Sequence, residues 1–137
     1  MVNKFLSLGR FFYSSRLFFL GELIRISIRL IFGCSIDPRT KIGKDVVFGY
    51  NGIGIVIHPN VVIGNNVTIA QNCTIGGRFG CKRLPEISDN VYIGAGAVII
   101  GDVKIGDGAV IGANAVVTKS VPSNITVVGV PAREIKK

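Results

Sequence analysis

The chain has 137 residues, of which 48% are hydrophobic, and its formal net charge at neutral pH is +8. This length suits one domain with a sizeable core, and the apolar content excludes a disordered chain. The positive charge points to acidic partners, but the basic residues are scattered and accompany no nucleic-acid-binding motif. We therefore expect no nucleic-acid partner.

Residues 1–33 differ in composition from the rest of the chain, because they hold six of the eight phenylalanines and only one acidic residue. The spacing of Glu22, Arg25 and Arg29 predicts one amphipathic helix from about residue 15 to residue 32. Charges interrupt every apolar run before it is long enough to span a membrane, and no signal-peptide cleavage site follows. Two interpretations stay open: the helix covers the end of the next domain and contacts sister subunits, or it makes peripheral contact with a membrane.

From residue 36 onward, a large aliphatic residue returns at every sixth position. The longest unbroken run is Ile87, Ile93, Ile99, Ile105, Ile111 and Val117. A period of six fits neither an amphipathic helix nor a simple alternating strand. It fits a hexapeptide repeat, in which each hexad forms a short strand and a corner, and three hexads form one triangular coil. The sequence therefore predicts an all-β fold, a parallel β-helix over residues 34–137, behind the helical segment of residues 1–33.

Two insertions interrupt this period. Nine positions separate Phe48 from Ile57, and the intervening loop of residues 49–54 is rich in glycine. Twelve positions separate Ile75 from Ile87, which predicts an extruded loop over residues 77–86. Loops that leave a regular wall commonly carry function, and glycine allows a ligand to approach the backbone closely. We expect the functional site near these two loops.

The three cysteines, Cys34, Cys73 and Cys81, are an odd number without metal-binding spacing. This pattern predicts reduced thiols and no metal site. We expect a cytoplasmic protein, with membrane association left open by residues 1–33.

Several motifs resemble the hexapeptide-repeat acyltransferases, in the branch that contains serine acetyltransferases and polysaccharide O-acetyltransferases. The similar stretches are Gly-Ile-Val-Ile (54–57), Thr-Ile-Gly-Gly (74–77), Tyr-Ile-Gly-Ala-Gly-Ala (92–97), Ile-Gly-Ala-Asn-Ala-Val-Val (111–117) and Val-Gly-Val-Pro-Ala-Arg (128–133). This resemblance implies a left-handed β-helix, a homotrimer, and acetyl-CoA as co-substrate in the groove between subunits, without a metal.

The resemblance also implies positions for the cofactor. The backbone at Ala95 and Ala113 would line the pantetheine arm of CoA. The side chains of Lys119 and Arg133 lie where they would meet its phosphates.

The catalytic positions are where this sequence departs from serine acetyltransferases. The resemblance leads us to expect an Asp-His pair before residue 54 and a histidine between Arg83 and Pro85. Here the sequence has Tyr50 and Asn51 in the first place and a leucine in the second. We predict that Tyr50, Asn51, Asn72 and Arg83 contact the acceptor. The alternative interpretation is that Tyr50, Asn51 and Asn72 are simply corner residues.

His58 is the one histidine of the chain, and it follows Ile57 at a place where most hexads carry glycine or alanine. An imidazole has a reference pKa of about 6.5, which suits removal of a hydroxyl proton at neutral pH. We predict that His58 is the catalytic base. The alternative interpretation is a solvated corner residue. A thiolate nucleophile at Cys81 is less favoured, because the family transfers acyl groups directly.

The resulting hypothesis is an acetyl-CoA-dependent O-acetyltransferase that acts on a hydroxyl of a sugar, a polysaccharide precursor or another small acceptor. One alternative is a serine O-acetyltransferase. A second, of a different class, is a catalytically silent trimeric scaffold with the same fold.

Overall fold

The structure is a computed structural model that describes residues 1–135, so the last two residues of the predicted domain lie outside the described residues. Two helices, α1 (Val2–Ser14) and α2 (Phe18–Phe32), precede fifteen short strands. The strands are β1 (Ser35–Ile36), β2 (Lys41–Ile42), β3 (Val47–Phe48), β4 (Val56–Ile57), β5 (Val62–Ile63), β6 (Thr68–Ile69), β7 (Thr74–Gly76), β8 (Glu86–Ile87), β9 (Tyr92–Ile93), β10 (Val98–Ile100), β11 (Lys104–Ile105), β12 (Val110–Ile111), β13 (Val116–Val117), β14 (Thr126–Val128) and β15 (Arg133–Glu134).

The strands form three parallel faces of a triangular column. Face 1 stacks β1, β4, β7, β10 and β13; face 2 stacks β2, β5, β8 and β11; face 3 stacks β3, β6, β9, β12 and β14. Every third strand therefore pairs with its equivalent in the next coil, as the hexapeptide period requires. The predicted left-handed parallel β-helix is confirmed.

The interior is a stack of the aliphatic residues that define the period. Ile69, Ile75, Ile93, Ile99, Ile105 and Ile111 are all fully buried. The smaller apolar residues, such as Ala97 and Ala109, are also fully buried, because they fill the narrow corners of the triangle. The register places equivalent residues over one another, for example Ile99 beside Ile75 and Val117.

The N-terminal segment forms two helices instead of the single helix that the sequence predicted. Arg16, between them, has a φ of 60°, a left-handed conformation that ends α1. The α2 helix ends at Gly33, whose φ of 61° suits glycine at a helix C-terminus. Within residues 1–135, no helix is long and apolar enough to cross a membrane.

The two helices close the N-terminal end of the column. Val2, Leu6, Ile28 and Phe32 belong to the same buried cluster as the β-helix interior. Arg10 donates from Nε to the Pro38 carbonyl at 2.8 Å, and so satisfies a backbone acceptor of the first coil. One core is therefore continuous from the helices into the column. The domain boundary between residues 33 and 34 stays a prediction.

The C-terminal end of the column is covered by a much shorter piece of chain than the N-terminal end. The β15 strand turns back and pairs antiparallel with β14, with Val128 beside Arg133. A cavity of about 310 Å³ remains open there, between this strand and the last coil.

Candidate functional site

Two corners of the triangle carry the predicted site residues. We call the row of corners between faces 3 and 1 the alanine edge; it contains residues 49–54, 70–72, 94–96 and 112–114. We call the row between faces 1 and 2 the histidine edge; it contains residues 58–60, 77–85, 101–102 and 118–120. Face 1 separates the two edges within one chain.

Backbone hydrogen bonds stack the alanine edge from coil to coil. The Asn72 amide donates to the Ile53 carbonyl at 3.0 Å, and the Asn114 amide donates to the Ala95 carbonyl at 2.8 Å. Ala95 is half-buried and Ala113 is exposed, so both present backbone at the surface of the edge. The structure thus aligns the two predicted pantetheine-contacting residues on consecutive coils.

The first insertion forms the beginning of the alanine edge. Residues Gly49–Gly52 form a tight 3₁₀ turn, in which Tyr50 and Asn51 have φ values of 48° and 57°. These left-handed conformations project both side chains out of the wall, and the Tyr50 side chain is 79% exposed. The Asn51 Oδ1 accepts a hydrogen bond from the Met1 amine at 3.1 Å. The predicted acceptor residues Tyr50, Asn51 and Asn72 are therefore neighbours on one edge.

Lys119 and Arg133 meet at the C-terminal cavity. Both side chains line this cavity and are exposed. The acidic residue Glu134 also lines it. The Ala132 amide donates to the Val116 carbonyl at 2.8 Å, so Arg133 lies close to the end of the alanine edge. Ala95 and Ala113 thus lie on the alanine edge, whereas Lys119 lies on the histidine edge and meets Arg133 at the C-terminal cavity.

His58 lies on the histidine edge and lines a second cavity of about 360 Å³. The other lining residues are Ser35, Val56, Ile57, Pro59, Thr74, Ile75, Gly76, Gly77 and Ile100. Ser35 and Thr74 were not predicted as site residues, although the hexapeptide phase gives a signal for them. Each precedes an inward isoleucine on face 1, as Val56 does, and therefore points outward beside the cavity.

The imidazole of His58 has one internal partner. Its Nδ1 accepts a hydrogen bond from the Asn60 backbone amide at 3.2 Å. In this arrangement a neutral imidazole carries its hydrogen on Nε2 and offers a donor there. A base at Nε2 therefore requires the hydrogen to move to Nδ1 and the Asn60 contact to open.

The second insertion leaves the histidine edge between β7 and β8, and it spans residues 77–85. Glu86, which the prediction placed in this loop, is the first residue of β8. The loop folds over Gly101 of the next coil, where a Cβ would lie 3.3 Å from Arg78 Cβ and 3.4 Å from Cys81 Sγ. Arg83 is exposed in this loop, on the edge opposite Tyr50 and Asn51. One chain therefore does not bring all four predicted acceptor residues together.

The cysteines are free thiols in three different settings. Burial raises the pKa of the Cys34 thiol to about 11, and burial also raises the pKa of Cys73. Cys81, in the extruded loop, is half-buried. Among residues 1–135, no three histidine, cysteine or acidic side chains form a group that holds a metal ion.

Two stretches of the sequence match known protein families. The family described as "Bacterial transferase hexapeptide (six repeats)" matches residues 85–119, and "Hexapeptide repeat of succinyl-transferase" matches residues 39–71. Both matched stretches are hexapeptide repeats of transferases, so the column is similar to the hexapeptide-repeat acyltransferases.

Within this family, the similarity is to serine acetyltransferases. The serine acetyltransferase of Staphylococcus epidermidis is 43% identical over 127 residues, which cover 91% of this chain and 59% of that relative. The structure of the Neisseria gonorrhoeae enzyme superposes with a TM-score of 0.89 at 34% identity, covering 99% of this chain and 52% of that one. A serine acetyltransferase complex with CoA superposes with a TM-score of 0.87 at 34% identity, covering 98% and 55%. The chain thus spans a little over half the length of these relatives.

Proposed function

We propose that this protein is an acetyl-CoA-dependent O-acetyltransferase and that serine is the first acceptor to consider. The observation that carries this proposal is the identity of 43% with a serine acetyltransferase over 91% of the chain. The comparisons favour serine over the sugar acceptor that we expected first from the sequence. The stacked backbone at Ala95 and Ala113, together with Lys119 and Arg133 at the C-terminal cavity, supports CoA as the acetyl donor.

A sugar hydroxyl remains the second candidate acceptor. The observation that favours it is the absence of histidine at the two positions where the resemblance to serine acetyltransferases leads us to expect one. Tyr50 and Asn51 occupy the first position and Leu84 occupies the second. An exposed tyrosine ring beside two carboxamides suits a polyhydroxylated ligand as well as it suits an amino acid.

In the proposed reaction, the acceptor oxygen attacks the thioester carbonyl while His58 takes the hydroxyl proton. Backbone amides on the corners hold the developing oxyanion, and the CoA sulfur leaves and takes a proton. His58 performs the proton transfer after its Nδ1 contact with Asn60 opens. Cys81 has no covalent step in this scheme.

We further propose that the active form is a homotrimer, in which the histidine edge of one copy faces the alanine edge of the next. The outward residues of the three faces support this proposal. Face 2 carries Lys41, Glu86 and Lys104, which suit solvent, whereas faces 1 and 3 carry residues such as Val98 and Tyr92. Val56 on face 1 and Val47 on face 3 are further exposed apolar residues beside the alanine edge, so association there buries apolar side chains. This arrangement also brings Arg83 to the other acceptor residues.

We keep the cytoplasm as the proposed location, because free thiols fit a reducing compartment.

Thermal unfolding with and without CoA separates an enzyme from a silent scaffold. A ligand at about 100 times its Kd stabilises the folded state by about 2.7 kcal/mol. We expect a clear rise in melting temperature with millimolar CoA. An unchanged melting temperature would support the scaffold alternative and contradict the proposed activity.

Replacement of the histidine tests the mechanism. We expect His58→Ala and His58→Asn to lower kcat by about 100-fold with each active acceptor, while the Kd for CoA stays unchanged. Asp102→Ala, an exposed change on the same edge, is the matched control. Assays with serine, amino sugars and nucleotide sugars identify the acceptor. Full activity of His58→Ala at saturating acceptor would show that another group takes the proton.

A further inference from the structure

The outer face of α2 is a continuous apolar stripe. It consists of Phe19, Leu23, Ile26 and Leu30, which are 80%, 50%, 47% and 79% exposed. Their spacing of four, three and four residues places them on one side of the helix. The opposite side, with Gly21, Ile28 and Phe32, is buried against the rest of the protein. The α2 helix is thus apolar on two opposite faces. Packing within one chain accounts for the buried face and does not account for the exposed one.

The exposed apolar surface extends onto α1 and the connection between the helices. Phe11 is 61% exposed and Phe18 is 60% exposed. Of the nineteen large hydrophobic residues that are exposed within residues 1–135, ten lie in the first 31 positions. A concentration of this kind on a folded surface marks an interaction site.

The charges around the stripe are positive. Lys4, Arg16 and Arg29 are exposed, and neither of the two ion pairs within residues 1–135 involves them. Glu22 is the only acidic residue of this segment. It is engaged by Tyr13 at 2.6 Å and by Arg25 at 2.7 Å, and these hydrogen bonds hold the pKa of Glu22 below its ordinary value.

This combination distinguishes between two possible occupants of the stripe. A second copy of the same helices would bring like charges together without an acidic partner, which is unfavourable. A bilayer that contains anionic lipid offers an apolar interior for the stripe and negative headgroups for the three cations. Because the other face of α2 is buried in the protein, the helix lies on such a surface instead of entering it whole.

We propose that α1 and α2 dock the protein on the surface of a membrane that contains anionic lipid, with the stripe inserted at the level between headgroups and acyl chains. The buried face of α2 closes the β-helix, and the exposed face binds the bilayer. The column then projects away from the membrane, with its C-terminal cavity at the far end.

Vesicle flotation of the full chain tests this proposal. One set of vesicles contains phosphatidylcholine alone, and the other contains phosphatidylcholine with about one third phosphatidylglycerol. We expect binding to the anionic vesicles that weakens at high salt, and at least tenfold weaker binding to neutral vesicles. The variant Phe19→Glu with Leu30→Glu should lose at least tenfold in binding. Phe79→Glu, which changes a fully exposed phenylalanine far from the helices, is the matched control and should bind as the wild type does.

Further measurements separate a loss of membrane binding from a loss of folding. Circular dichroism and the melting temperature of each variant show that the fold is intact; the substituted side chains are largely exposed, so we expect no change. Arg16→Glu with Arg29→Glu should weaken binding to anionic vesicles only. Absence of wild-type binding, or equal binding by the stripe variant, would overturn the proposal. Concentration-dependent association that the stripe variant abolishes, without vesicle binding, would show a second copy as the occupant and would also overturn it.

Discussion

The two ends of the column are closed in different ways. At the N-terminal end, two helices insert Val2, Leu6, Ile28 and Phe32 into the core and supply a hydrogen bond to the first coil. At the C-terminal end, a two-residue antiparallel strand leaves a cavity of about 310 Å³ beside Lys119 and Arg133. The comparison shows that the core extends into a cover of two helices at one end, while the other end keeps an open cavity.

The largest expected effect lies at the covered end. Ile28→Ala removes a side chain that is fully buried between α2 and the column, and we expect a loss of about 3–4 kcal/mol in the free energy of unfolding. Ile26→Ala, the same change two residues away at a position that is 47% exposed, should cost less than about 1 kcal/mol. Urea denaturation measures both. Similar losses for the two variants would mean that the helices do not close the core.

A smaller effect is expected at the open end, and on binding instead of stability. Lys119→Ala with Arg133→Ala should raise the Kd for CoA about tenfold or more, equivalent to about 1.4 kcal/mol, because the phosphates lose two cations. The melting temperature without ligand should not change, since both side chains are exposed. Lys104→Ala on face 2 is the control. Unchanged CoA affinity, measured by calorimetry, would place the phosphates elsewhere.

The smallest expected effect is on the free energy of unfolding, and it comes from the carboxylate of Asp37 in the first coil. Asp37 accepts hydrogen bonds from Arg39 at 2.7 Å and 2.9 Å, and this guanidinium holds the pKa of the buried carboxyl below its ordinary value. The stabilisation is therefore present above the unfolded-state value of about 3.9, and it is lost as the pH falls below that value. We expect Asp37→Asn to cost about 1 kcal/mol at pH 7, since Arg39 is largely exposed.

The pH dependence supplies the check on Asp37. The difference in unfolding free energy between wild type and Asp37→Asn should shrink as the pH falls from 5 towards 2. A constant difference across that range would contradict the charge-based explanation. Asp102→Asn, an exposed change on the histidine edge, serves as the control.

The sequence predicted the interior well, because each buried isoleucine repeats the same local geometry. The period located Ile57, Ile93 and Ile111 as well as both insertions. It did not predict the break at Arg16, because arginine gives no signal for a left-handed conformation. The separate helix α1 was missed for the same reason.

The candidate site was predictable only in part. The hexapeptide phase tells which corner a residue occupies, so it is enough to place Ala95 and Ala113 on one edge. It does not tell which backbone group an exposed side chain will meet. The contact between His58 and the Asn60 amide therefore became visible only in the structure. The period also does not encode how copies associate, so it does not tell whether a second copy brings the acceptor residues of the two edges together.

The short strand that covers the C-terminal end of the column has a consequence for how the protein unfolds. Each coil pairs only with the coils before and after it, so the loss of one terminal coil leaves the others intact. The last coil is held to the preceding one by the pairing of β13 with β10, a single bridge between Ile105 and Val121, and the pairing of β14 with β12. Fraying should begin there and move towards the helices, so amide protons near Val127 exchange with solvent before those near Ile63. A ligand in the terminal cavity would then act as a removable cap, and the melting of the column would depend on the concentration of that ligand.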